Sequence, residues 1–82
     1  MERDEILRRV RDLLWRYVGD GVVLDETHGE SAVLADLGVN SARLVDIVLD
    51  AEDAFGIAVD DAEADGVRSL GDIVAIIVSK EG

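Results

Sequence analysis

The chain has no cysteine and no proline, and its only aromatic residues are Trp15, Tyr17 and Phe55. Without cysteine there is no disulfide framework, no thiolate metal site and no cysteine nucleophile. Cationic side chains are scarce: eight Lys and Arg stand against nineteen Asp and Glu, for a net charge of −11. Nucleic acid and anionic membranes repel such a polyanion, since both reward clusters of Lys and Arg. No apolar run nears the roughly 20 residues that a membrane-spanning helix needs. The opening Met1-Glu2-Arg3-Asp4-Glu5 is too acidic and polar for a secretion signal. At 82 residues there is room for one domain, 1–82, near the lower limit for a self-sufficient core. Hydrophobic residues still make up 49% of the chain, too many for a disordered segment. What is left is a small, acidic domain, expected to be monomeric and cytoplasmic.

The charge is placed unevenly. Residues 1–19 hold five Arg and four acids, whereas residues 20–82 hold three bases and fifteen acids. So lopsided a distribution points to a partner with a basic surface, with solubility as the plainer explanation.

Apolar spacing predicts helices and little else. Ile6, Val10, Leu13 and Tyr17 follow a 4–3–4 rhythm, widened by Leu7, Leu14 and Val18, which predicts a helix over 3–18 ending near Gly19. Trp15 falls roughly opposite Ile6 and should be partly buried. Residues 19–39 form a long connection anchored by Val22, Val23, Leu24, Val33, Leu34 and Leu37, with a short helical turn within 31–37. A second helix is expected over 41–55, with Leu44, Val48, Ala51 and Phe55 on one arc, Val45 and Ile47 beside it, and Gly56 as its stop. A short helical turn over 61–65 should close at Gly66. The last helix should start at Ser69, with Asp72 in a capping-box arrangement, and run to Lys80. These elements make an all-α fold, a small four-helix bundle of three main helices plus one short helix with a long first loop.

Catalysis finds little support. His28, the one histidine, sits in a polar loop without a nucleophile at a recognisable spacing, and reads as a solvated loop residue. Asp61, Glu63, Asp65, Gly66 and Asp72 mimic the spacing of a calcium loop, but Glu at the third position and Arg68 at the eighth argue against one. More informative is Leu34-Ala35-Asp36-Leu37-Gly38-Val39-Asn40-Ser41-Ala42. Ser41 at a helix start is either an N-cap or an exposed hydroxyl where backbone N–H groups favour an attached phosphate.

Three motifs bear on that choice. Asp36-Leu37-Gly38-Val39-Asn40-Ser41 resembles the Asp-Leu-Gly-x-Asp-Ser-Leu attachment motif of acyl carrier proteins. Phe55-Gly56-Ile57 resembles the family's Phe-Gly-Ile after its second helix, and Val67-Arg68-Ser69-Leu70-Gly71-Asp72 its Thr-Val-Gly-Asp before the last. They stand in the family's order, and with the N-terminal helix the resemblance spans almost the whole chain. It implies a four-helix bundle without catalysis of its own. It further implies that Ser41 carries a covalent 4′-phosphopantetheine, donated from coenzyme A by a phosphopantetheinyl transferase. The thiol of that arm holds acyl groups as thioesters, which explains how a carrier can do without cysteine.

The resemblance also implies a recognition surface on the second helix. Asp46, Asp50, Glu52 and Asp53, with Leu49 among them, are expected to meet basic docking surfaces of an acyltransferase, acyl ligase or ketosynthase. Asn40 and Ala42 replace the Asp and Leu of fatty-acid carriers, and Arg43 adds a positive charge next to them. These three departures favour partners in polyketide or related specialised biosynthesis. The Gly-Gly-x-Ser arrangement of peptidyl carriers is absent, yet an amino-acid-derived cargo stays open. An unmodified acidic adaptor with a carrier-like fold is the rival reading.

Overall fold

The 4–3–4 rhythm winds into the first helix, α1, at Arg3–Leu14, and buries Ile6, Leu7, Val10 and Leu14. In the computed structural model, which describes residues 1–81, α1 stops at Leu14 rather than Val18. Competing bonds explain the early stop. The carbonyls of Tyr17 and Val18 accept from the Arg43 guanidinium at 2.8 and 3.2 Å, and the Tyr17 hydroxyl donates to Asp50. Those tertiary partners draw residues 15–18 out of helical register. Trp15, left on the bend, is 62% exposed, in keeping with its place opposite Ile6.

The remaining helices follow their apolar stripes. Helix α2 spans Ser41–Phe55, with Ile47 and Ala51 buried and Leu44, Val48 and Phe55 half-buried. Val45 belongs to the other side and is 59% exposed. Gly56 ends α2 in the left-handed region, at φ 65°. The short α3, Asp61–Asp65, is held by a capping box in which Asp60 accepts from the Glu63 N–H and Glu63 from the Asp60 N–H. Helix α4 spans Leu70–Glu81 and buries Leu70, Ile73, Val74 and Ile77. Its start carries the expected reciprocal bonds: Ser69 N–H donates to Asp72 at 3.1 Å, and Asp72 N–H to the Ser69 hydroxyl at 3.2 Å. Helix α1 packs chiefly on α4 and secondarily on α2. Among the described residues every buried side chain is apolar. Full burial of an Ile, Leu or Val stabilises by about 1.5–3 kcal/mol, so this shared core is what holds the bundle together.

The long connection between α1 and α2 is tied down by backbone bonds. Leu34 N–H donates to Arg68 O at 2.9 Å, Leu70 N–H to Ala32 O at 3.0 Å and Gly71 N–H to Glu30 O at 2.8 Å. Arg3 grips the Glu30 carboxylate through two nitrogens at 2.8–3.0 Å. A 3-10 turn at Leu34–Leu37 buries both of its leucines. Val23 and Val33, expected as anchors, are instead 72% and 42% exposed. After the turn comes Gly38, at φ 79°, and here only glycine fits. A Cβ on Gly38 would lie 2.8 Å from the backbone N and Cα of Gly19.

Gly38→Ala should therefore lower the unfolding free energy in urea titrations by about 2 kcal/mol or more, through a strained φ and a backbone clash. Gly21→Ala also stands at a positive φ, of 80°, but has nothing within 4 Å. It should cost only about 1 kcal/mol. Equal losses would show that the Gly19 contact places no demand on position 38.

Candidate functional site

The start of α2 is built around a cap that leaves Ser41 free. Asn40, in extended conformation, is the N-cap: its side-chain oxygen accepts the Arg43 N–H at 2.9 Å. Ser41 is thus the first helical residue and not the cap, which removes the capping alternative. It is exposed, and its hydroxyl has no hydrogen-bond partner among the described residues. The first turns of α1, α3 and α4 carry carboxylates, whereas that of α2 has none. Its N–H groups and dipole therefore present uncompensated positive potential beside the Ser41 hydroxyl. Asn40 caps as Asp would, but without adding a negative charge there.

The position is rigid. Val39 is buried, and its N–H donates to Leu34 O at 3.1 Å. Arg43 clasps the Tyr17 and Val18 carbonyls, so its guanidinium locks α2 onto the first loop. Beside Ser41 opens a surface groove of about 600 Å³, running from Leu44 and Val48 on α2 to Val67 and Arg68 before α4. Val33, Leu34 and Val39 form its apolar wall.

The expected docking residues divide. Ala42, Asp46, Leu49 and Asp53 are exposed along one face of α2, and Leu49 is 56% exposed. Their spacing of four, three and four residues makes them a continuous strip leading away from Ser41. Val45, missed by the sequence reading, joins this strip; its place outside the Leu44–Val48–Ala51–Phe55 arc was the available signal. Asp50 and Glu52 do not stand free. Asp50 is half-buried and accepts from the Tyr17 hydroxyl. Glu52 is half-buried and accepts the Val59 N–H at 3.1 Å, bracing the turn after Gly56. Both carry structural bonds.

Two minor features resolve by geometry. His28 is half-buried rather than solvated: its Nδ1 accepts the Asp25 N–H at 3.2 Å, and its carbonyl accepts from Arg11 at 2.9 Å. The calcium-loop spacing runs over the helix α3 into the start of α4, and two of its carboxylates have other partners. Glu63 pairs with Lys80 at 2.8 Å, while Asp72 accepts from Arg68 N–H at 2.8 Å and from Ser69 N–H.

With this geometry in view, the comparisons with known proteins converge. The family model for the phosphopantetheine attachment site matches residues 19–77. The acyl carrier protein of Thermotoga maritima is 38% identical to this chain, covering 98% of it and 96% of the relative. That of Prochlorococcus marinus is 33% identical over the whole of both chains. The chain belongs to the acyl carrier protein family. A crystal structure of the Thermotoga maritima acyl carrier protein superposes with a TM-score of 0.82 at 26% identity, covering 99% of this chain and 92% of that one. A mitochondrial acyl carrier protein of Toxoplasma superposes with a TM-score of 0.84 at 21% identity, a likeness of fold. Acyl carrier proteins are not enzymes. They carry a covalent 4′-phosphopantetheine and work with a phosphopantetheinyl transferase and biosynthetic enzymes. The residues at the start of α2 fit that group, for a free hydroxyl stands where a phosphate is electrostatically favoured.

The Tyr17–Asp50 bond yields a pH test. Tyr17 is held above its ordinary 10.0, first by the hydrogen bond to Asp50, then by desolvation and the Asp50 charge. A raised folded-state value means that this bond's stabilisation is complete below the ordinary range and fades as pH rises through the folded value. In an ultraviolet titration, the single tyrosine should ionise above 10.0, and Asp50→Asn should return it toward 10.0. Ionisation at the ordinary value in the wild type would show that the bond does not persist in solution.

Proposed function

We propose that Ser41 is the attachment residue of this carrier. The observation carrying this reading is the exposed, unpartnered Ser41 hydroxyl at an α2 start that Asn40 caps and no carboxylate neutralises. In the transfer, Ser41 Oγ bonds to the β-phosphorus of coenzyme A as the pyrophosphate bond breaks. Adenosine 3′,5′-bisphosphate leaves, and the hydroxyl proton passes to the transferase's base or to water. When bound, the arm supplies a thiol that forms thioesters with acyl groups. The protein's own part is to hold Ser41 rigidly on the surface, offer the groove as shelter for cargo, and present α2 to partners. The whole chain serves as one monomeric, cytoplasmic carrier domain.

The partner surface in this reading is Ala42, Val45, Asp46, Leu49 and Asp53. An apolar anchor flanked by charge gives weak, oriented, rapidly exchanged contacts with a basic enzyme surface. Asn40, Ala42 and Arg43 beside the arm adapt it to an acyltransferase, acyl ligase or ketosynthase of polyketide or related specialised biosynthesis. Asn40 and Ala42 support this best. Arg43 has a structural task of its own in holding Tyr17 and Val18.

Incubation with coenzyme A and a broad-specificity phosphopantetheinyl transferase should add one phosphopantetheine to the intact mass. Ser41→Ala should stay folded, because the Asn40 cap is untouched, and should gain no mass. An unmodified wild type beside an active transferase would falsify the assignment and favour the adaptor reading, whereas mass gain in Ser41→Ala would move the attachment to another residue.

Transfer assays separate docking from stability. Asp46→Lys and Asp53→Lys should slow acyl transfer to the partner enzyme severalfold while moving stability by no more than about 0.5 kcal/mol. Glu52→Lys should also destabilise, since the Val59 N–H loses its acceptor. In the same assays, Asn40→Asp with Ala42→Leu should improve handling by fatty-acid enzymes. No change with either enzyme set would remove the case for a specialised pathway.

A further inference from the structure

The groove beside Ser41 is not uniformly apolar, and one of its polar lining residues is a cation. Of the three bases in residues 20–82, Lys80 is paired with Glu63 at 2.8 Å, and Arg43 clasps the first loop away from the groove. Arg68 alone among basic residues lines the groove. Hydrogen bonds from side chain and backbone hold it in place. One guanidinium nitrogen donates to the Asp65 and Val67 carbonyls at 2.7 and 2.9 Å. Its backbone N–H donates to Asp72, and its carbonyl receives the Leu34 N–H at 2.9 Å. Leu34 O in turn receives the Val39 N–H, two residues before Ser41. Two backbone hydrogen bonds thus connect the Arg68 wall to the wall that leads into the attachment position.

Arg68 lacks something that an arginine in so acidic a chain should find easily. Nineteen carboxylates are available, yet among the described residues none lies within 4.0 Å of its guanidinium. Asp65 also lines the groove, but Arg68 bonds to its backbone carbonyl and not to its carboxylate. The other guanidinium edge, Nε and the second terminal nitrogen, makes no bond within the protein among the described residues. An arginine fork whose rotamers are already fixed loses less entropy when it closes on a planar oxyanion. It is a ready donor with no acceptor.

We infer that Arg68 is a specificity residue for the cargo, donating to a carboxylate at the far end of the acyl group that lies in the groove. This rests on the attachment reading for Ser41. The positions of the two residues separate the two anions that a loaded arm can offer. A phosphodiester on Ser41 Oγ stays at the α2 start, where backbone N–H groups serve it. The groove that both residues line also has Leu34, Val39, Leu44 and Val67 in its walls, an apolar lining suited to methylenes. A chain with a polar terminus matches both parts of the groove, while a plain alkyl chain leaves the Arg68 edge facing only water. The pair is solvent-exposed, so it tunes preference among cargoes.

The test loads the full chain from the coenzyme A thioesters of octanoate and of octanedioate, using a phosphopantetheinyl transferase, with the unacylated holo form as reference. Intact mass is checked first; a chain that takes no arm overturns the Ser41 assignment and leaves no loaded protein to compare. With loading verified, the Arg68 Nε–H resonance of the wild type should shift with the 7-carboxyheptanoyl cargo and barely with octanoyl. Thioester hydrolysis should be slower for the carboxylated cargo in the wild type by about two- to fivefold, the range of an exposed ion pair. Arg68→Gln should remove that difference, and Arg68→Lys, which keeps the charge without the fork, should restore it in part. A resonance that moves equally with both cargoes overturns the inference. So does one that moves fully on going from apo to holo and no further, since Arg68 then serves the phosphodiester. Wild-type resonances carry the decision even if Arg68→Gln loosens α3.

Discussion

The near-contact of two glycine backbones, Gly19 and Gly38, sets where α2 begins. Gly19 N–H donates to Leu37 O at 2.8 Å, and a Cβ on Gly38 would meet the Gly19 backbone at 2.8 Å. Because the chain passes so close to the end of the first helix, residues 17–18 come within reach of Arg43. Their carbonyls can then hold α2 by its first turn. Remove that approach, and Ser41 sits on a helix end secured only by its cap. The stop of α1 at Leu14, the exposure of Trp15 and the rigidity of the Ser41 position all follow from this seam.

Surface charge has to be divided between holding the protein together and meeting partners. On α2 the division is visible residue by residue. Asp50 and Glu52 take donors from the Tyr17 hydroxyl and the Val59 backbone, and so join the helix to its neighbours. Asp46 and Asp53 take none and remain outward with Leu49 and Val45. Carboxylates that accept from fixed donors relieve part of the mutual repulsion that fifteen acids impose, whereas outward ones leave the field that the proposed docking to a basic partner would use. The first turn of α2 is kept clear of acids, so the same field does not oppose a phosphate at Ser41.

How much of this was legible in the sequence depended on whether its cause was local. The span of α2, its glycine stop, the Ser69–Asp72 bonds and the short α3 followed from apolar period, glycine and capping chemistry, all within a few residues. The end of α1 did not, because Tyr17 and Val18 continue its stripe and leave the helix only for Arg43, far along the chain. The cap at Asn40 rather than Ser41 was a choice between adjacent good capping residues, settled by tertiary placement of the turn at Leu34–Leu37. Asp50 and Glu52 looked alike with Asp46 and Asp53 on a helical wheel. Their difference comes from a tyrosine on another element and from the turn after Gly56. Val23 and Val33 read as anchors because hydrophobicity in a loop cannot say which side faces the core.

A carrier must shelter its cargo and still release it to many partners, and two of the empty spaces of this bundle bear on how. The groove beside Ser41 is open and already formed, at about 600 Å³. The interior gap among Ile47, Val48, Val67, Ile73 and Ile77 amounts to only about 10 Å³, scarcely the space of one water. Entry there would part tightly packed branched side chains, and overpacking of a close-packed core typically costs about 1–3 kcal/mol. Lodging in the groove disturbs none of those contacts. A cargo proposed to rest there leaves without opening the core, so its release makes no demand on the Gly19–Gly38 seam that fixes Ser41. On that proposal the small Ile-Leu-Val core serves stability alone, and exchange with partners is a surface event.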